Sequence, residues 1–262
     1  AALKICEKAQ GESRSKFVTM KNSFHGKTHG ALSVTTSGSY RRGFYYGIPK
    51  ERVIEIPFGD VEALKEVIER ETTSGQCSVT AVILEPMQGE GLEESPPGYL
   101  KAITELCKAN GILTIFDEVK VGMWRTGTFC AFQSEDVVPD VVTLSKALGG
   151  GKRAISAMVA DSDLFLKAYG TRQDCALHTS TFSGLGESCA VAIETLNTYV
   201  EEGIGDNAHD QGRYLGAGLA ALKERYPSKI REIRGRGLLQ GIHFNWSERI
   251  LPENPQSVAA PV

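Results

Sequence analysis

Apolar residues along this chain come in two arrangements, short continuous runs and sets spaced for one face of a helix. Residues 80–85 (TAVILE), 112–117 (ILTIFD), 140–144 (DVVTL) and 154–160 (AISAMVA) are runs apolar on both faces, and 15–20 (SKFVTM) and 53–57 (VIEIP) are shorter extended ones. Such runs predict strands, the central ones covered on both sides. Between them, Asp60 precedes Val61, Leu64, Val67 and Ile68. That spacing predicts a helix through Arg70, capped by the Asp60 carboxylate. Residues 97–110 place Leu100, Ile103, Leu106 and Cys107 on one helical face, with Gly111 set to end it. Two longer helices are expected over 187–202 and 207–225. Residues 1–9 have the character of the latter part of a helix, with no cap or loop before them. Strands alternating with helices predict an α/β fold: a mostly parallel, mixed sheet sandwiched by helices.

Pro227 marks a change. Residues 230–236 and 237–244 both read as strands, and 251–262 carry three prolines without periodicity, which predicts irregular chain. The expected division is a large domain over 1–226 and the start of a small C-terminal α+β domain over 227–262.

Composition narrows the function classes. With 41% hydrophobic and 23% charged residues the chain is ordinary for a globular protein. A net charge of -3 argues against a nucleic-acid partner, which asks for a clustered basic face. Arg231, Arg234 and Arg236 are interrupted by Glu232 and Gly235, with Gly237 following, and read as a solvated strand edge. No apolar run reaches the about 18 residues of a membrane-spanning helix, and the first residues lack a signal peptide's apolar stretch. The six cysteines form no C-x-x-C pair. Free, mostly buried thiols in a reducing compartment are expected, cytoplasmic or in the mitochondrial matrix. No metal site is assigned.

In open parallel α/β sheets, ligands sit beyond the carboxyl ends of the strands. Glu85, Asp117 and Ser145-Lys146 stand at such ends. A carboxylate directly after Ile-Leu-Thr-Ile-Phe is desolvated and needs a cationic partner; taken alone, Asp117 reads as a helix cap or a structural ion pair. Lys146 follows Val-Val-Thr-Leu and precedes Ala-Leu-Gly-Gly-Gly. An amine in that position loses charge readily, and a neutral amine can form a Schiff base with an aldehyde. The run GGGK at 149–152 is not a phosphate loop, because Arg153 stands where Ser or Thr is required. Together, Asp117 and Lys146 match the two ends of a pyridine ring bearing an aldehyde: an anion for the ring nitrogen and an amine for the aldehyde. Phe24 can offer an aromatic face to such a ring, and Thr181 a hydroxyl to a phosphate.

With these residues in place, the chain resembles the class III (ω-amino acid) aminotransferases of the fold-type I pyridoxal-phosphate enzymes. The stretches that carry the resemblance are SFHGKTHGALSVTTS (23–37), LEPMQGEG (84–91), FDEVKVGMWRTGTFCAF (116–132), VPDVVTLSKALGGG (138–151) and HTSTFSG (178–184). The resemblance implies pyridoxal 5′-phosphate as cofactor, an amine donor and a 2-oxo acid acceptor. It implies that Lys146 forms the Schiff base and shuttles a proton, and that Asp117 pairs with the ring nitrogen. Val119 and Phe24 would cover the two ring faces, with His25 beside them. Ser180 and Thr181 would reach the phosphate in a neighbouring subunit's site, which makes a homodimer necessary. Glu85, Glu90 and Lys27 would lie at the substrate end. The chain departs from the family pattern at Lys120, where Gln usually touches the cofactor's phenolic oxygen; the resemblance implies that Lys120 donates to that oxygen instead, with an added charge. It departs also at Trp124 for a glycine, at Lys27 for an arginine, and at Leu185-Gly186 for Asn-Pro. The family's phosphate-cradling Gly-Thr/Ser segment would precede Ala1, and most of its C-terminal domain would follow Phe244. A non-catalytic or truncated remnant of the fold, and a decarboxylase, racemase or aminomutase on the same scaffold, remain open alternatives.

Overall fold

The computed structural model describes residues 1–245. Its elements run, in chain order, α1 (Ala2–Gln10), β1 (Lys16–Met20), α2 (His29–Val34), β2 (Val53–Ile56), α3 (Val61–Arg70), β3 (Thr72–Thr73), β4 (Gln76–Cys77), β5 (Val79–Leu84), α4 (Tyr99–Ala109), β6 (Leu113–Asp117), β7 (Val141–Leu144), β8 (Ala157–Ala160), α5 (Ser162–Tyr169), α6 (Gly186–Glu201), α7 (Ile204–Arg225), β9 (Ile230–Arg236) and β10 (Leu239–Phe244). Six strands form the central sheet in the order β2-β1-β5-β6-β7-β8. All neighbours are parallel except β7 and β8, which run antiparallel. The sheet is therefore mixed and mostly parallel, as its sequence predicts.

The period of two along the strands divides the core between the sheet's two faces. Val18, Val82, Leu84 and Phe116 join Leu64 and Val67 of α3 and Leu100 and Ile103 of α4 on one side. Phe17, Ala81, Ile83 and Ile115 join Ile5 and Cys6 of α1 and Tyr169 of α5 on the other. Both faces of β5 are covered, which is why residues 79–84 are buried without exception.

Local signals placed most boundaries. The Asp60 carboxylate accepts from the Ala63 N–H at 3.0 Å and starts α3 as expected. Helix α4 begins at Tyr99 rather than 97 because Gly98 adopts a left-handed φ of 81°. Helix α7 begins three residues before its expected start, since the tight turn at Gly203 joins it directly to α6. Strand β8 begins at Ala157 rather than 154; the Ile155 carbonyl is taken by the Ser145 hydroxyl at 2.9 Å, outside any ladder. Helices α2 and α5 and the β3–β4 hairpin were not expected. A signal for α5 exists in Asp161, whose carboxylate caps the N–H groups of Asp163 and Leu164.

Strands β9 and β10 form a separate antiparallel hairpin. It rests on α7 at Gly212, where an added Cβ would lie 2.6 Å from Gly237 Cα. The irregular chain expected over 251–262 lies outside the described residues. Cys6, Cys77, Cys107 and Cys130 are buried free thiols, while Cys175 is exposed and Cys189 half-buried. Among the described residues, no helix is long and apolar enough to cross a membrane.

Candidate active site

Strands β5, β6 and β7 lie side by side and parallel, so their carboxyl ends open on one rim. Glu85 follows β5, Asp117 ends β6, and Lys146 stands two residues beyond β7. Asp117 is the register partner of Thr143 on β7.

Asp117 is buried and takes three hydrogen bonds. His25 Nδ1 lies 2.9 Å from Oδ2, while the Thr143 hydroxyl at 3.0 Å and the Val119 N–H at 3.1 Å donate to Oδ1. Burial by itself would raise this carboxyl, but the hydrogen bond and charge of His25, with the Val119 and Thr143 hydrogen bonds, together outweigh it and hold it below its ordinary range. Burial likewise works against the His25 imidazolium, and Asp117 reverses this and raises it. The two form a buried ion pair. Two atoms remain open: His25 Nε2 is buried without a partner, and Asp117 has used three of the roughly four acceptor positions of a carboxylate.

Glu85 is also buried. It accepts from the Phe24 N–H at 3.0 Å and the Gly89 N–H at 2.9 Å, and burial raises its carboxyl despite these donors. Lys146 opens a 3-10 turn with a left-handed φ of 46°, a conformation that costs a non-glycine residue on the order of 1 kcal/mol or more. Its amine is pushed below the ordinary lysine value, by burial first and then by Lys120 and Arg125, against the opposing pull of Asp117 and Glu85.

Two cavities meet at this rim. One of about 810 Å³ has Asp117, Val119, His25 and Thr143 in its wall. The other, of about 700 Å³, has Lys146 in its wall with Leu185 and Cys189. Ser156, Ser180 and Ser183 line both. Asp117, Val119, His25, Lys146 and Ser180 are thus brought together around adjoining space.

The profile of the class III aminotransferases matches residues 1–254. The chain belongs to the class III aminotransferases. Similar solved structures include an ornithine aminotransferase from Toxoplasma gondii, described with partial occupancy of PLP at its active site. It is 33% identical, with a TM-score of 0.80 over 93% of this chain and 56% of that one. An (S)-enantioselective omega-transaminase from Thermomicrobium roseum is 31% identical, with a TM-score of 0.84 over 93% and 57%. An acetylornithine aminotransferase from Elizabethkingia anophelis is 29% identical, with a TM-score of 0.75 over 94% and 56%. The chain spans somewhat over half the length of these relatives.

Class III aminotransferases use pyridoxal 5′-phosphate, and the rim of this one fits that group. A buried carboxylate with an acceptor position left suits a protonated ring nitrogen, and an amine whose protonation is disfavoured by burial suits an aldehyde. The remaining predicted residues lie further out. The Phe24 ring meets Tyr40 edge-on at 4.9 Å, and Lys27 Nζ lies over Tyr40 at 4.6 Å and over Phe24 at 5.9 Å. None of these three is in the wall of either cavity. Glu90 is half-buried in the turn after β5. The Ser180 hydroxyl meets that of Ser183 at 3.0 Å, and Thr181 is exposed beside it. Trp124 keeps a φ of 60° at its usual glycine position, with its ring against Phe129 and Tyr199. Gly205 makes room for it, since a Cβ there would come within 2.4 Å of Trp124 Nε1.

Sequence reasoning passed over Thr143, the one polar residue of its strand, and Glu118. Glu118 is buried, and its two oxygens accept the N–H groups of Ala131 and Phe132 at 2.9 and 3.0 Å, tying the end of β6 to the next turn. Burial pushes this carboxyl up to about 7, against those donors and Arg236. A group raised on folding contributes most below its unfolded value near 4.5, and that contribution is lost as pH rises through about 7. Glutamine imitates the protonated acid. The stability advantage of the native protein over Glu118→Gln is therefore expected to fall by about 3 kcal/mol between those pH values. Paired denaturant titrations measure this, and a difference flat with pH would contradict it.

Proposed function

We propose that this aminotransferase moves an amino group from an amine or ω-amino acid to a 2-oxo acid, with pyridoxal 5′-phosphate held between Asp117 and Lys146. The observation that carries the reading is the placement of those two side chains at the same rim, on neighbouring parallel strands. When bound, the cofactor supplies an aldehyde that condenses with amines and a protonated ring that draws electrons from the carbon bearing the nitrogen. Asp117, kept anionic by His25, would hold a proton on the ring nitrogen. Lys146 Nζ, whose protonation burial disfavours, would hold the aldehyde end and serve as the base that moves the proton at the carbon bearing the donor nitrogen. Val119, in the cavity wall beside Asp117, would cover one face of the ring, and Phe24, Glu85, Glu90 and Lys27, which lie further out, would come to bear on the other face and on the donor. A lysine grips a carboxylate less specifically than an arginine does, so diamines join ornithine, acetylornithine and 4-aminobutyrate among the candidate donors. Residues 179–187 are all exposed. In a homodimer that segment would carry Ser180 and Thr181 to the partner's phosphate.

The test uses these four donors, labelled with ¹⁵N, with the cofactor and a 2-oxo acid added to the 262-residue chain. Label appearing in the new amino acid is the expected result. Carbon dioxide release or inversion of the donor without transferred label would replace aminotransfer by decarboxylation or racemisation. Failure of every donor to react would leave the fold without chemistry.

A further inference from the structure

Asp117 ends β6 directly across from Thr143 of β7. Side chains alternate along a strand, so Asp117 shares a face of β6 with Ile115, and Thr143 shares a face of β7 with Val141. Those two apolar residues pack in one cluster. The Thr143 hydroxyl donates across the strands to Asp117 Oδ1 at 3.0 Å. Its carbonyl accepts the Glu118 N–H, also at 3.0 Å. One residue of β7 thus holds the end of β6 by side chain and main chain together. Thr143 is itself fixed, because β7 pairs with β6 on one side and with β8 on the other, where Met158 is its register partner. A β-branched side chain on such a strand has little freedom at χ1. Thr143 and Asp117 both stand in the wall of the cavity of about 810 Å³.

The donors divide unequally between the two carboxylate oxygens. A carboxylate offers about two acceptor positions on each oxygen. On Oδ1 both are taken, by the Thr143 hydroxyl and by the Val119 N–H at 3.1 Å. On Oδ2 one is taken, by His25 Nδ1 at 2.9 Å. The open position is therefore on Oδ2. Without the hydroxyl, each oxygen would hold one donor and keep one open position, and the two would compete for an incoming N–H. The carboxylate plane would also turn more freely, since the last torsion of an aspartate is broad.

We infer that Thr143 is a positioning residue for the cofactor ring: its hydroxyl fills Oδ1 of Asp117, so that the proton of the ring nitrogen is received by Oδ2, the oxygen that His25 also holds. The inference deepens the proposed function and rests on it, since it needs a ring nitrogen at Asp117.

The test measures affinity rather than turnover. Equilibrium titrations of the 262-residue chain compare pyridoxal 5′-phosphate with its 1-deaza analogue, which keeps the aldehyde and the phosphate but has C–H in place of the ring nitrogen. Thr143→Val removes the hydroxyl at nearly constant shape. It is expected to weaken binding of pyridoxal 5′-phosphate roughly tenfold and to leave binding of the analogue within about twofold of native. Thr143→Ser keeps the hydroxyl and is expected to stay within about threefold of native for both ligands. Thr143→Ala is read in the same way if Thr143→Val does not fold. An equal loss for both ligands overturns the inference, because Thr143 would then merely shape the cavity. So does undiminished affinity of the hydroxyl-free variant for pyridoxal 5′-phosphate, or a Thr143→Ser protein as weak as that variant. A native chain that does not distinguish the two ligands would sink the proposed pairing of Asp117 with the ring nitrogen, and this inference with it. A native preference that survives in full in the hydroxyl-free variant sinks the inference alone.

Discussion

Lys146→Ala is expected to abolish covalent attachment of pyridoxal 5′-phosphate and to lower amino transfer by roughly 10²–10⁴-fold or more. Two separate tasks fall on one nitrogen. On the proposed reading it would bond the aldehyde and, after displacement, carry the proton that completes the transfer. Among the described residues no other lysine stands in the wall of the Lys146 cavity, so none of them offers a second amine there. Borohydride treatment of the loaded native chain should fix one cofactor mass on the peptide containing Lys146, and on no peptide in the variant. The fold should be almost unaffected. The residue is only partly buried, and alanine at a φ of 46° is no less strained than lysine. A thermal midpoint within a few degrees of native is the expected control. Cofactor fixed at another lysine in the native chain would refute the assignment.

Asp117 should show the opposite division between stability and chemistry, depending on what replaces it. Asp117→Ala leaves the His25 imidazole buried with neither nitrogen paired, and strips the Thr143 hydroxyl and Val119 N–H of their acceptor. Breaking a buried ion pair from one side costs about 3–5 kcal/mol, visible as a large drop in the denaturation midpoint. Asp117→Asn keeps the shape and one acceptor oxygen but not the charge. Its loss of stability should be smaller, while amino transfer still falls by roughly two orders of magnitude or more, since a neutral amide cannot hold the ring nitrogen protonated. The pH dependence follows from the directions of the two shifts. Asp117 is lowered on folding, so its contribution is present above its unfolded value of 3.8 and disappears as pH falls through the lower folded value. His25 is raised, so its contribution is complete below 6.5 and disappears as pH rises through the higher folded value. The stability advantage over Asp117→Asn should therefore be greatest between about pH 4 and 6.5 and decline on both sides. Melting curves of the two proteins across pH measure this; an advantage still rising well above neutrality would contradict the pairing with His25.

Much of the architecture was readable from local pattern because local forces decide it. The buried strands β5, β6 and β7 and the helices α3, α4 and α6 fell within a few residues of their expected positions, since apolar period and capping residues act over a single turn or strand. Where the boundaries moved, a backbone feature beyond that pattern was responsible, as with the left-handed Gly98 ahead of α4 and the Ser145 hydroxyl that takes the Ile155 carbonyl. The short helix α2 has too few turns to show a period, and so left no trace to read.

The chain by itself determined that a carboxylate and an amine stand at the ends of two buried strands, because strand ends are set by the residues that form them. Only the tertiary structure decided what each one faces. His25 meets Asp117 across 92 residues, Lys120 meets Gly89 across 31, and β7 is flanked by β6 on one side and an antiparallel β8 on the other. Those encounters depend on strand order and register, which the packing of the whole sheet fixes and no local run of sequence contains.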